Sequence, residues 1–261
     1  MSRLADTFAR IRQNGHPGLV TYVTAGDPDL PRSADILKAL DRAGADVLEV
    51  GVPFSDPLAD GPVIQRAAER ALSSGATLPR VLEMVAHVRA GIAAPIVIFS
   101  YANPIFRMGA EAFADRAQRA GVDGVLVLDL PVEEAGEFRG ILARRAIDTI
   151  FLLSPTTTDD RIRTAASLGG GFLYAISRLG VTGVRTEVAT GARDVVHRIR
   201  AATDLPVAVG FGLSKPEHVR AVGQWADAAV VGSGLVQVIA EAGGAPDLTA
   251  RVEEYVRWLK S

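Results

Sequence analysis

The chain reads as a single α/β domain over residues 1–261, a (β/α)8 TIM barrel with an extra N-terminal helix. Three observations lead there. Short β-rich apolar runs alternate with longer helical patterns from near Gly18 to the end, eight pairs in all. The runs are almost continuously apolar, as in Ile96-Val97-Ile98-Phe99 and Val125-Leu126-Val127-Leu128, the pattern of parallel strands covered on both faces. No Pro/Ser-rich linker interrupts the series, and 261 residues with 48% hydrophobic content suit one large core.

Taken in order, Met1-Ser2-Arg3-Leu4-Ala5-Asp6-Thr7-Phe8 mixes charge into an amphipathic helical pattern. No apolar stretch reaches the length of a membrane span, so neither an export signal nor an anchor is expected. Strands are expected near 19–24, 46–51, 95–101, 124–129, 149–154, 171–176, 206–210 and 228–232. Ala43-Gly44-Ala45-Asp46 and Ala120-Gly121-Val122-Asp123 each set glycine at a helix end just before a strand, where a left-handed cap lets the chain reverse. Such turns support the alternation but not closure, and a doubly wound open sheet is the structural alternative. Two connections exceed the usual length of roughly 2 to 6 residues: 52–61 and 177–191. Both belong on the face where a barrel builds its active site.

Composition narrows the chemistry. The absence of cysteine removes disulfides, thiolate nucleophiles and cysteine metal sites together, as a reducing, cytoplasmic compartment permits. With 28 basic and 30 acidic side chains, the chain has no excess positive field for a phosphate backbone, and no nucleic-acid partner is expected. Lys38, Lys215 and Lys260 all fall outside the expected strands, which disfavours a Schiff-base mechanism. His16, His87, His197 and His218 are scattered without metal-ligand spacing and read as surface or helix-cap residues. What is left is metal-free acid/base catalysis by carboxylates.

Glu49 is the foremost candidate, because alternation in Asp46-Val47-Leu48-Glu49-Val50-Gly51 surrounds it with apolar neighbours near the C-terminal end of a strand. An unpaired carboxylate there costs several kcal/mol, so its pKa should rise toward neutrality. A structural pair with an arginine is the competing reading. Asp60 precedes Gly61-Pro62, and its spacing fits a helix start as well as a functional role. Asp56 reads as a turn former, and Glu133 and Glu134 as first-turn helix carboxylates. Gly210-Phe211-Gly212 and Gly232-Ser233-Gly234 follow consecutive strands and lead into helices, so their backbone N–H groups suit a phosphate. In Ser177-Arg178-Leu179-Gly180-Val181-Thr182-Gly183-Val184-Arg185 the glycines suit a lid, while the arginines read equally as solvated charges.

The run Leu48-Glu49-Val50-Gly51-Val52-Pro53-Phe54-Ser55-Asp56-Pro57-Leu58-Ala59-Asp60-Gly61-Pro62 closely resembles the signature of the tryptophan synthase alpha chain family. The resemblance continues in order through Thr24-Ala25-Gly26-Asp27-Pro28, Tyr101-Ala102-Asn103-Pro104, Asp129-Leu130-Pro131, Ser154-Pro155-Thr156-Thr157, Ser177-Arg178, Gly180-Val181-Thr182-Gly183, Gly210-Phe211-Gly212 and Gly232-Ser233. It implies a barrel lyase that cleaves indole-3-glycerol phosphate into indole and glyceraldehyde 3-phosphate. By this resemblance Glu49 serves as acid and base, and Asp60 accepts a hydrogen bond from the indole N–H. Tyr22, Tyr101, Leu126, Tyr174 and Phe211 match positions around the indole and glycerol moiety. Gly183, Gly212, Gly232 and Ser233 match a phosphate cradle, and Thr182 a lid residue that contacts Asp60 on closure. Tyr22 stands where the family often has phenylalanine, and Leu128 where it often has a smaller residue or proline, which bears on pocket shape.

The resemblance also implies no cofactor in this chain and a separate beta chain that carries pyridoxal phosphate and receives indole in an αββα heterotetramer. Phe54, Pro57 and Leu58 give the first long loop an apolar surface that fits either docking or inward folding. Another phosphosugar barrel, such as an isomerase or epimerase, and a non-catalytic phosphate-binding subunit are the competing functions.

Overall fold

The computed structural model describes residues 2–176, 190–210 and 212–261. The N-terminal helix Arg3–Asn14 is capped by Ser2, whose Oγ accepts the Ala5 N–H and donates to Asp148 at 2.6 Å. The helix turns Leu4, Phe8 and Ile11 into the barrel interior, where Phe8 packs on Phe172 with ring centres 5.2 Å apart. This helix closes the N-terminal end of the barrel.

The strands are β1 (Gly18–Thr24), β2 (Val47–Gly51), β3 (Ile96–Ser100), β4 (Gly124–Val127), β5 (Asp148–Ile150), β6 (Leu152–Leu153), β7 (Leu173–Ile176), β8 (Val207–Gly210) and β9 (Ala228–Val231). All pair in parallel, in the order β5-β4-β3-β2-β1-β9-β8-β7-β6. The two ends of that series, β5 and β6, are separated only by Phe151, so one run of chain begins and ends the sheet. The barrel therefore closes, and the doubly wound alternative falls. The expected strand at 149–154 is divided because its first half pairs with β4 and its second with β7, while the Phe151 carbonyl accepts the Tyr174 N–H at 2.9 Å.

Alternation then sorts the side chains. Leu48, Val50, Ile96, Ile98, Val125 and Val209 face outward beneath the helices, and Val20, Val47, Val97, Leu126, Ile150 and Val230 face inward. Gly44 and Gly121 adopt φ values of 91° and 75° at the helix-to-strand junctions, as the turns require. Aspartates just ahead of the strands stitch this rim together. Asp46, Asp123 and Asp227 accept the backbone N–H groups of Leu19, Ile96 and Val207, each at 2.8 Å. Each thus ties the foot of one strand to the next.

Glu133 and Glu134 lie in the turn before helix Gly136–Ala143 and not within its first turn, whose acid is Glu137. Glu133 instead pairs with Arg161 at 2.6 Å. Among the described residues no helix is long and apolar enough to cross a membrane.

Candidate active site

A cleft opens at the C-terminal ends of the strands. Tyr22, Glu49, Asp60, Tyr174, Gly212, Gly232 and Ser233, all singled out in the sequence, line it together with Leu128. Ala59, Ile64, Phe99 and Val230 complete its wall and have no chemical signature in the sequence, since apolar residues of strands and helices read as core.

Glu49 sits in the middle of β2, opposite Tyr22 of β1 and Val97 of β3. It is 1% exposed, and its Oε1 has no hydrogen-bond partner. No arginine or lysine pairs with it among the described residues, which removes the structural-pair reading. Burial alone pushes its pKa up to about 8. A group so placed is a neutral acid at neutral pH that can give up and regain a proton.

Asp60 ends the connection after β2, one residue before Gly61, the N-cap of helix Pro62–Ser73. It is half-buried; desolvation raises its pKa to about 6, against the lowering effect of a 3.1 Å hydrogen bond donated by the Tyr101 hydroxyl. The same Tyr101 oxygen accepts the Ala59 N–H at 3.1 Å, so one tyrosine holds both the carboxylate and its loop. The Asp60 carbonyl accepts from Gln65 Nε2 at 2.8 Å, and the buried Asp27 pairs bidentately with Arg70 at 2.8 and 2.7 Å, seating the same helix against the loop after β1. Asp60 thus stands just before a helix start and also lines the cleft.

The tyrosines reach the cleft through missing side chains. A Cβ on Gly51 would lie 2.2 Å from the Tyr22 oxygen, and one on Gly210 would lie 2.1 Å from the Tyr174 oxygen. Glycine at these two strand ends is thus a condition for the aromatic lining. Tyr22 also meets Phe99 edge-on, with ring centres 5.4 Å apart. Phe54 turns inward onto Tyr101, at 5.0 Å, whereas Leu58 is 88% exposed, so the first long loop folds in at one residue and presents another to solvent.

Gly232 is the N-cap of helix Ser233–Ala242 and no side chain caps that end, which leaves its first N–H groups facing the cleft mouth. Gly212 reaches the cleft with φ 82°, but its helix, Pro216–Gly223, begins four residues later. The two glycine segments therefore have one helix N-terminus directly behind them and not two. Leu126 does not line the cleft: it is fully buried in the interior layer below. Thr182, Gly183 and Phe211 lie outside the described residues. His218 is not a surface residue but buried in the first turn of its helix, with Nδ1 accepting the Ser214 N–H at 3.2 Å. Among the described residues no group of three or more histidines and carboxylates is placed to hold a metal.

A family model described as "Tryptophan synthase alpha chain" matches residues 8–261. The chain belongs to the tryptophan synthase alpha chain family. A tryptophan synthase alpha chain from Geobacter sp. (strain M21) is 48% identical over 260 residues, covering 100% of this chain and 97% of that relative. A solved structure of Mycobacterium tuberculosis tryptophan synthase superposes with a TM-score of 0.91 at 36% identity, covering 100% of this chain and 99% of the other. A structure described as the tryptophan synthase a2b2 complex from Pyrococcus furiosus gives a TM-score of 0.87 at 41% identity, covering 93% of this chain and 97% of the other. Glu49 and Asp60, the two carboxyl groups that the motif resemblance singles out, line one cleft in this member of the alpha chain family.

Proposed function

We propose that this chain is a lyase that cleaves indole-3-glycerol phosphate to indole and glyceraldehyde 3-phosphate, a step of L-tryptophan biosynthesis. The observation that carries the reading is Glu49, a buried carboxyl without a charge partner, across an aromatic-lined cleft from Asp60.

The chemistry follows from their protonation. Below pH about 8 Glu49 is a neutral acid, and it delivers its proton to C3 of the indole ring. The ring becomes the indolenine cation, with positive charge shared by its nitrogen. Asp60, ionised above pH about 6, accepts the N–H and balances that charge. The Glu49 carboxylate then takes the proton of the adjacent carbinol hydroxyl. As the aldehyde forms, the carbon–carbon bond breaks, its electron pair returns to the ring, and Glu49 is neutral again. One residue thus closes the proton cycle with no net proton exchanged.

Tyr101 fixes Asp60, while Tyr22 and Tyr174 flank the ring and glycerol. The N–H groups of Gly212, Gly232 and Ser233 take the phosphate. By the resemblance, Phe211 completes the indole and glycerol surroundings, Gly183 joins the phosphate cradle, and Thr182 meets Asp60 on closure, while Leu126 packs in the layer below the cleft. The chain works as the alpha subunit of an αββα assembly in the cytoplasm. Pyridoxal phosphate belongs to the beta chain, and exposed Leu58 offers that partner an apolar contact.

The test is product analysis with purified chain, alone and with beta chain. Indole and glyceraldehyde 3-phosphate in equal amounts are expected. Turnover of pentose phosphates in place of indole-3-glycerol phosphate would transfer the reading to an isomerase or epimerase. Absence of any turnover in either preparation would leave a binding subunit.

A further inference from the structure

The turn that carries Gly212 is held from behind. Ser214, two residues on, has a buried hydroxyl with no hydrogen-bond partner, so its side chain gives the turn no polar anchor. Its main chain is held on both sides instead. The Ser214 N–H goes to His218 Nδ1 at 3.2 Å, and its carbonyl accepts the hydroxyl of Tyr255 at 2.9 Å. Tyr255 comes from helix Leu248–Leu259, on the outer layer and away from the cleft lining.

The same hydroxyl also reaches the other half of the anion cradle. A Cβ on Gly234 would lie 2.4 Å from the Tyr255 oxygen and 3.1 Å from Ser214 Cβ. Gly234 is in the first turn of helix Ser233–Ala242, directly after Gly232 and Ser233. Tyr255, Ser214 and Gly234 therefore meet behind the cleft, where the two glycine segments come together.

We infer that Tyr255 is a positioning residue: through the Ser214 carbonyl and the close packing on Gly234, its hydroxyl fixes the spacing of the two backbone segments that grip the substrate phosphate. The inference rests on the proposed function, which seats the phosphate at Gly212, Gly232 and Ser233. Its physical basis is that hydrogen bonds to an anion need donors fixed to a few tenths of an ångström, and main-chain donors can be fixed only through their own backbone. Loss of the Tyr255 hydroxyl leaves a carbonyl without its donor and a gap beside Gly234, and the donor spacing drifts.

The experiment is Tyr255→Phe in the full chain, assayed with beta chain and titrated by calorimetry. KM for indole-3-glycerol phosphate should rise about 5-fold with kcat within about 2-fold, the split of a lost uniform binding interaction. The Kd of glycerol 3-phosphate should rise by the same factor, and that of indole should stay unchanged. Gly234→Ala should weaken glycerol 3-phosphate by forcing a methyl against the hydroxyl, and adding Tyr255→Phe should recover part of the loss, because no ring atom of Tyr255 comes as near. Unchanged affinity for glycerol 3-phosphate in Tyr255→Phe would overturn the inference. So would equal weakening of indole and glycerol 3-phosphate, which marks general loosening. Should the wild-type chain bind no glycerol 3-phosphate at all, the seat of the phosphate is wrong and the inference falls with it; wild-type binding and an unaffected variant sink the inference alone.

Discussion

At the N-terminal rim of the barrel, Asp227 accepts the Val207 N–H and pairs with Arg12 and Arg200 at 2.8 and 3.1 Å. Asp123 and Asp46 are likewise bonded to backbone, with Arg3 and Lys260 beside them at 2.9 and 3.1 Å. Glu49, near the opposite rim, is more deeply buried and has no such partner. The same functional group therefore meets two fates. Burial raises the Asp227 carboxyl, but the Arg12 hydrogen bond, the Val207 N–H and the nearby arginine charges outweigh it, and the net shift is downward. For Glu49 nothing offsets burial. A carboxylate given cations and N–H donors ties strands together, and one denied them stays protonated toward neutral pH.

Glu49→Gln breaks the comparison most severely. Indole release should fall by about 10³-fold or more, since the variant can neither give nor take the proton. Its stability should move the other way. The folded pKa of about 8 lies above the ordinary 4.5, so wild type binds an extra proton on folding between those values, and its stability falls as pH rises through that window. Glutamine does not titrate. Its advantage over wild type should grow from pH 4.5 to 8, by about 5 kcal/mol, and level off above. Thermal melts at pH 5 and pH 8 check this; equal differences at both would contradict it.

Asp60→Asn is the second test. It keeps the shape and an acceptor oxygen but removes the charge that balances the indolenine cation, so kcat should drop by about 10²-fold with little change in melting temperature. Near wild-type turnover would remove its proposed role.

The third addresses the other rim. Asp227→Asn should destabilise the fold by about 2 kcal/mol, because Arg12, Arg200 and the Val207 N–H lose a charged acceptor. Turnover per folded molecule should stay within about 2-fold. The sign of its pH dependence is opposite to that of Glu49: the pKa is depressed, so the stabilisation is present above the ordinary value of 3.8 and is lost as pH falls below it. Urea unfolding of variant and wild type should converge in acid. A variant that folds as well as wild type at pH 7 but turns over poorly would reverse the assignment of the two rims.

The contrast also explains which parts of the molecule are legible in the sequence. Glu49 was legible because a carboxylate within Val47-Leu48-Glu49-Val50 can face only apolar surroundings. Asp60 was not separable by spacing, and the structure shows why: Gly61 does cap the helix that follows. The rim aspartates give no such signal, since the glycines of Ala43-Gly44-Ala45-Asp46 and Ala120-Gly121-Val122-Asp123 mark the turn while the acid's N–H partner lies on the preceding strand. Ile64, Phe99 and Val230 line the cleft, yet their apolar character gave no reason to separate them from the core. Hydrophobic pattern carries burial but not pairing, which is why 149–154 looked like one strand and folds as β5 and β6. The glycines below Tyr22 and Tyr174 show the same limit, because the space they leave is defined by a neighbouring strand.

The proposed chemistry turns on the protonation of Glu49 in the folded chain before substrate binds. Difference infrared spectroscopy of wild type against Glu49→Gln, followed across pH, isolates the stretching band of that one protonated carboxyl. A band present at pH 7 that titrates away near pH 8 is the expected result. No protonated carboxyl at pH 7, with titration near the ordinary value of 4.5, would contradict it.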